Sequence, residues 1–312
     1  HKDGMINFSP EYDILFYTFA HSFEMRFHIT GTYLLTTILL TTLAGCSKEE
    51  SSVPTYLSFG QANIIFQQNA GSNHQNIEDY WLIINGQTIA VASPDRTVPV
   101  IGNGIQEITV QPGIRVNGQR DEAQIYSFLE PYKTTVSLCA CADTIHLIPE
   151  FKYKPTALFS FIEDFENSNR FSVDLDDNIA TSSTTQTQTV AEGSFSLALN
   201  VDATNKINSV TTQDFYTDFE SNGRDLFLEF EYKSDFTFLI GLQANTGSGH
   251  FTEYAAGAYA TPTWKKMYVN FTDLALASKS TGGYRPVFTI NHAGGTQGGG
   301  NLYLDNIKLV HY

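Results

Sequence analysis

The sequence predicts an all-β protein of two sandwiches in series, an immunoglobulin-like one followed by a jelly roll. Three observations carry that expectation. The 312 residues are 42% hydrophobic but only 16% charged, and are rich in Phe (23), Tyr (16) and Gly (23). Aromatic and β-branched side chains suit a pleated, half-buried surface, and Gly and Asn suit the turns between strands. Apolar runs are short, four to eight residues, and are bounded by turn signals rather than repeating at helical spacing. The length suffices for two cores.

In the first half, taken as residues 54–154, Tyr80 to Ile84 runs into Asn85-Gly86 and then Thr88 to Ala92. Asn-Gly between two such runs is a strong hairpin signal, because both central residues must accept positive φ. Val98 to Ile101 reaches Gly102-Asn103-Gly104, and Ile105 to Val110 alternates before Pro112-Gly113. Tyr132 to Leu138 and Thr144 to Ile148 flank a turn at 140–143. Six or seven strands in this length predict an immunoglobulin-like sandwich, although the Cys…Trp…Cys spacing of true immunoglobulin domains is missing. Cys139 and Cys141, two apart, leave open whether they pair. His146 stands without the partners of a zinc site.

The second half, residues 155–312, carries three landmarks: Glu163-Asp164-Phe165-Glu166, Thr263-Trp264-Lys265-Lys266-Met267-Tyr268-Val269, and Leu302-Tyr303-Leu304-Asp305-Asn306-Ile307-Lys308-Leu309. Leu226 to Tyr232 and Phe236 to Leu242 supply alternating strands between them. Ser182 to Thr189 is low in complexity and reads as a loop or edge strand. The glycine-rich run 294–300 precedes a strand, not a helix, and lacks the Lys-Ser/Thr ending of a phosphate loop, so it reads as a loop at the rim of a face.

In order and spacing, these landmarks resemble the jelly-roll, galactose-binding-like carbohydrate-binding modules. The resemblance implies non-catalytic binding of a polysaccharide or other glycan, with rings stacked on sugar and polar groups on hydroxyls. Tyr254, Tyr259, Tyr284, Arg285 and His292 are the residues it nominates for ligand contact. It also implies a structural calcium held by Asp164 or Glu166 and by Asp305, since calcium favours several hard oxygen ligands.

The segment from Met25 to Cys46 reads as an address. Met25-Arg26 opens it, an apolar stretch from Tyr33 to Ala44 follows, and Leu43-Ala44-Gly45-Cys46 closes it. About 12 apolar residues are too few to span a bilayer but fit a signal peptide. The ending resembles the bacterial lipobox, which implies acylation of Cys46 and a membrane anchor. Residues 47–53 form a polar tether similar to the surface-export signal of Bacteroidetes lipoproteins, placing the protein on the outer membrane, facing outward. Residues 1–24 are set aside as upstream sequence outside the fold. Asp143-Thr144-Ile145 resembles the O-glycosylation motif of exported Bacteroidetes proteins.

The formal charge of -15 and the absence of a Lys/Arg cluster exclude nucleic acid as a partner. Gly-x-Ser-x-Gly and His-Glu-x-x-His are both missing, so catalysis is not expected. A structural or adhesive envelope protein whose jelly roll contacts another protein is the alternative.

Overall fold

The computed structural model describes residues 53–219, 222–292 and 298–312. The signal segment, Cys46 and most of the tether therefore lie outside the described residues, as does most of the glycine-rich loop. Among the described residues no helix is long and apolar enough to cross a membrane.

Among the described residues the regular secondary structure is nearly all strand. Its first ten strands are β1 (Thr55–Phe59), β2 (Asn63–Ile64), β3 (Asp79–Ile84), β4 (Gln87–Ala92), β5 (Thr97–Val100), β6 (Gly104–Arg115), β7 (Ala123–Ile125), β8 (Tyr132–Leu138), β9 (Thr144–Leu147) and β10 (Glu150–Phe151). They form a three-stranded sheet β5-β1-β9, a larger sheet β4-β3-β6-β7 in which β8 also pairs with β6, and the short pair β10-β2. The Asn-Gly hairpin forms as expected. Asn85 and Gly86 stand at φ 48° and 81°, and Ile84 pairs with Gln87 across them.

Two local expectations are corrected. Pro112-Gly113 does not end its strand, because β6 runs on to Arg115. Gly113 lies so close to Asp79 that a Cβ there would sit 2.8 Å from the Asp79 Cβ, so only glycine lets β3 and β6 pair at this point. The runs either side of 140–143 do not pair with each other. β8 joins β6, whereas β9 crosses over to run parallel to β1. Cys139 and Cys141, at this crossing, form a disulfide with Cα atoms 5.3 Å apart.

The remaining strands are β11 (Leu158–Glu163), β12 (Val173–Asp174), β13 (Thr184–Gln186), β14 (Ser196–Val201), β15 (Ile207–Thr211), β16 (Leu226–Ser234), β17 (Phe238–Asn245), β18 (His250–Ala258), β19 (Thr261–Asn270), β20 (Tyr284–Asn291) and β21 (Gly300–His311). One helix, α1 (Thr272–Ser278), follows β19. Two sheets face each other here, β13-β14-β21-β16-β19 with β11 also on β21, and β12-β15-β20-β17-β18. The low-complexity tract supplies β13, an edge strand, as its composition suggests. Between the sheets lies a core of Phe171, Phe230, Phe238, Phe288, Leu304, Ile307 and their neighbours. Burying each such side chain stabilises by about 1.5–3 kcal/mol.

The two sandwiches share an interface. Phe227, Tyr268 and Val310 point away from the second core and join the first, packing with Tyr126 and Phe128. On the same outer face, cross-strand register sets Glu229 opposite both Tyr268 and Lys308, and Glu231 opposite Lys266. Glu229 is fully buried there. Tyr126 and Tyr153 both donate to its Oε1, Gln75 donates to Oε2 at 3.0 Å, and Lys266 Nζ stands 3.4 Å from Oε2. Burial alone would raise its pKa. The Lys266 and Lys308 ammonium groups, with the hydrogen bonds from Tyr126 and Gln75, instead hold it at about 2. Lys308 has given up more than its partner restores, and burial lowers it to about 7.

Candidate functional site: the outer face of the β12–β18 sheet

The first sandwich packs on the outer face of the β13–β19 sheet, whereas the outer face of β12-β15-β20-β17-β18 is covered over β15 and β20, where Thr211 and Val287 are fully buried, and opens to solvent at β18. Period-2 alternation decides which residues stand on it. Phe238, Ile240, Leu242 and Ala244 of β17 go to the core, leaving Leu239, Gly241 and Gln243 outward. Likewise Tyr284, Phe288 and Ile290 of β20 are core, leaving Arg285, Val287 and Thr289 outward. Register then aligns Thr211, Val287, Gly241 and Tyr254 in one row across four strands.

Gly241 determines what that row looks like. A Cβ there would sit 2.8 Å from the Glu253 carbonyl and 2.9 Å from Tyr254 Cδ1. Its absence lets the Tyr254 ring lie against the strand. The ring is 44% exposed, and its hydroxyl is within 3.0 Å of Thr289 Oγ1, which in turn meets Ser209 Oγ at 2.7 Å. Beside it, Arg285 donates through Nε to Gln243 Oε1 (2.8 Å) and through NH1 to the Thr212 carbonyl (2.9 Å). Gln243 passes the chain on, donating to Thr252 Oγ1 at 2.8 Å. The guanidinium also stacks on Phe215, 4.3 Å from the ring centre, and Phe215 packs on His250. Burial lowers the Arg285 pKa from its usual value. The face therefore offers one tilted ring, partly open to solvent, above hydroxyl, amide and guanidinium groups that are buried and bonded to one another.

Of the residues nominated from sequence, Tyr254 and Arg285 come together here. Tyr284 does not: it is buried in the core, donating from its hydroxyl to the Ala275 carbonyl at 2.7 Å and accepting from the Ser280 amide. Its neighbour Arg285 is outward because strand neighbours face opposite ways. His292 lies past the far end of β20, stacked on Phe236 with ring centres 4.3 Å apart. Tyr259 sits on the β18–β19 turn, 80% exposed, beside a different cleft at the junction of the two sandwiches. Sequence reasoning missed Thr289, Ser209, Gln243 and Gly241. The one available signal was Gly241 itself, a glycine inside an apolar strand, which marks a close approach.

The carboxylates nominated for calcium serve the backbone instead. Asp305 Oδ2 accepts the Ala191 and Glu192 amides and Oδ1 accepts Asn306, while burial pushes its pKa up to about 7 against those three bonds. Glu166 Oε1 accepts the Ser194 and Phe195 amides, and Asp164 Oδ1 accepts Glu166. Glu163, also buried, accepts from Phe165 and Arg170. Among the described residues no three His, Cys, Asp or Glu side chains gather as a metal site.

No protein-family model matches this chain. No curated protein matches it either. Among solved structures, it is similar to the CBM22-1 xylan-binding domain of Paenibacillus barcinonensis Xyn10C, at 14% identity over 50% of this chain and 95% of that one, with a TM-score of 0.37. It is similar also to the C-terminal family 22 carbohydrate-binding module of Clostridium thermocellum Xyn10B, at 17% identity over 49% and 92%, TM-score 0.36. A family 30 carbohydrate-binding module gives 16% identity over 50% and 99%, TM-score 0.37. At TM-scores below 0.5 these likenesses settle neither ligand nor site.

Proposed function

We propose that this chain is a lipid-anchored envelope protein that binds a glycan, without cleaving it, on the outer face of the β12–β18 sheet. The observation that carries the reading is Tyr254 laid across Gly241, beside the fixed polar groups of Thr289, Gln243 and Arg285. A sugar ring has an apolar face for the exposed Tyr254 ring to meet, while the buried Thr289, Gln243 and Arg285 fix the sheet beneath it. Cys46 would carry the lipid, with the tether leading out to the first sandwich on the cell surface.

Tyr254 gives the test its scale. An aromatic side chain offers about 150–250 Å2 in all. With 44% of Tyr254 exposed, roughly 90 Å2 remains to be covered, about 2 kcal/mol at ~25 cal/mol per Å2. Tyr254→Ala should therefore weaken glycan binding about ten- to thirty-fold, by about 1.4–2 kcal/mol. The anchor is tested separately. Cells grown with an alkyne fatty acid should label the protein, and Cys46→Ala should abolish the label. A labelled Cys46→Ala variant would refute the anchor.

A further inference from the structure

A second opening lies where the two sandwiches meet, a cleft of about 890 Å3. That is within the range of small-ligand sites, about 300–1,000 Å3. Neither half builds it alone. The first sandwich supplies the segment around His74 to Glu78 and the loop from Arg115 to Arg120; the second supplies the β18–β19 turn with Tyr259, and Trp264 to Tyr268 of β19.

Its wall is aromatic and its floor cationic. Trp264 is half-buried and Tyr259 is exposed. Arg115, Arg120, Lys265 and Lys266 line the cleft against two carboxylates, Glu78 and Glu231. The excess of cations stands out in a chain of net charge -15. Lys266 already has a carboxylate beside it. Its side chain is 4% exposed and sits 3.4 Å from Glu229 Oε2, yet its ammonium makes no hydrogen bond. Arg115 resembles it, paired through its outer nitrogen with Asp79 at 2.9 Å and through its buried Nε with Glu78 at 3.6 Å. Arg120 and Lys265 are exposed at the rim and form no ion pair among the described residues.

We infer that this junctional cleft is a separate binding site for an acidic saccharide, its ring against Trp264 and its carboxylate or sulfate on the exposed rim cations Arg120 and Lys265. Planar rings with charged donors beside them suit an anionic sugar better than a neutral one. Because both sandwiches contribute, the site exists only in the joined pair.

The two tryptophans of the chain, Trp81 and Trp264, make the test direct. With Trp81→Phe as the background, Trp264 is the sole reporter. Trigalacturonate should change its emission saturably, as should a sulfated oligosaccharide if sulfate serves equally; a difference between the two tells which anion the rim accepts. The double variant Arg120→Glu, Lys265→Glu, on exposed positions that leave folding intact, should weaken binding at least tenfold. Tyr254→Ala should leave it unchanged, so this site and the sheet-face site fail independently. Calorimetry on the unmodified chain gives the same readout without the Trp81 substitution. Neither anionic sugar binding, a neutral oligosaccharide acting equally well, or polyglutamate binding as tightly would each overturn the inference.

Discussion

Replacing Glu229 by Gln probes the joint between the sandwiches with almost no change of shape. The wild-type carboxylate has a pKa of about 2 in a site that excludes water, against 4.5 for an ordinary glutamate. At ~1.4 kcal/mol per pH unit, that gap corresponds to about 3 kcal/mol of stability from ionised Glu229. The variant loses that and leaves Lys266 and Lys308 buried without their counter-ion, a loss of the order of 3–5 kcal/mol for a broken buried pair. For a chain this size, about 3 kcal/mol is roughly 6–12 °C in melting temperature. The pH dependence adds a second signature. A depressed carboxylate contributes fully above about pH 4.5, and the contribution drains away as pH falls towards 2. Wild type should therefore lose stability over that interval, whereas the Gln variant should lack this component. Lys308 works in the other direction. With its folded pKa lowered to about 7, its buried charge is a burden below pH 7 that fades between 7 and 10.5. Once discharged, Lys308 no longer misses Glu229, so the deficit of Glu229→Gln should shrink from pH 6 to pH 9. Thermal denaturation followed by calorimetry or circular dichroism at pH 3, 6 and 9 measures all three points. A variant melting within about 1 °C of wild type at pH 6, or with the same deficit at pH 6 and 9, would refute the ionic account of the interface.

Other consequences are simpler to check. Gly86→Ala should destabilise by about 1–2 kcal/mol in denaturant titration, because its φ of 81° is costly for an L side chain while no atom lies within 4 Å of the added methyl. Tyr284→Phe should cost about 1 kcal/mol of stability and nothing in glycan affinity, since its hydroxyl bonds only within the core. A loss of affinity would return Tyr284 to the binding face. Melting in chelator should match melting in millimolar calcium to within about 1 °C, given that both Asp305 oxygens and Oε1 of Glu166 accept backbone amides. Stabilisation by several degrees on adding calcium would reveal a cage absent from this arrangement.

The architecture was more legible than the site. Period-2 runs and the Asn85-Gly86 turn are local signals, and they became β3, β4 and their hairpin. Pairing between distant strands is not local, so nothing near Thr144 announced that β9 would run parallel to β1. Pro112-Gly113 misled for a related reason. Its role is set by Asp79, more than thirty residues away in sequence, which only the fold brings against Gly113. For the site, aromatic type alone could not separate Tyr254 from Tyr284: one lies over a glycine on the face, the other is sealed under α1. The cationic cleft drew on two segments about 150 residues apart, and neither is basic enough to be noticed by itself.

The most direct test of the central claim is affinity electrophoresis of the full chain and of Tyr254→Ala through gels containing a panel of neutral plant, algal and host polysaccharides. Retardation of the wild type by at least one polysaccharide, largely relieved in the variant at unchanged melting temperature, is the predicted result. Unretarded wild type across the whole panel, or a variant retarded as strongly as wild type, would contradict a glycan site on the Tyr254 face.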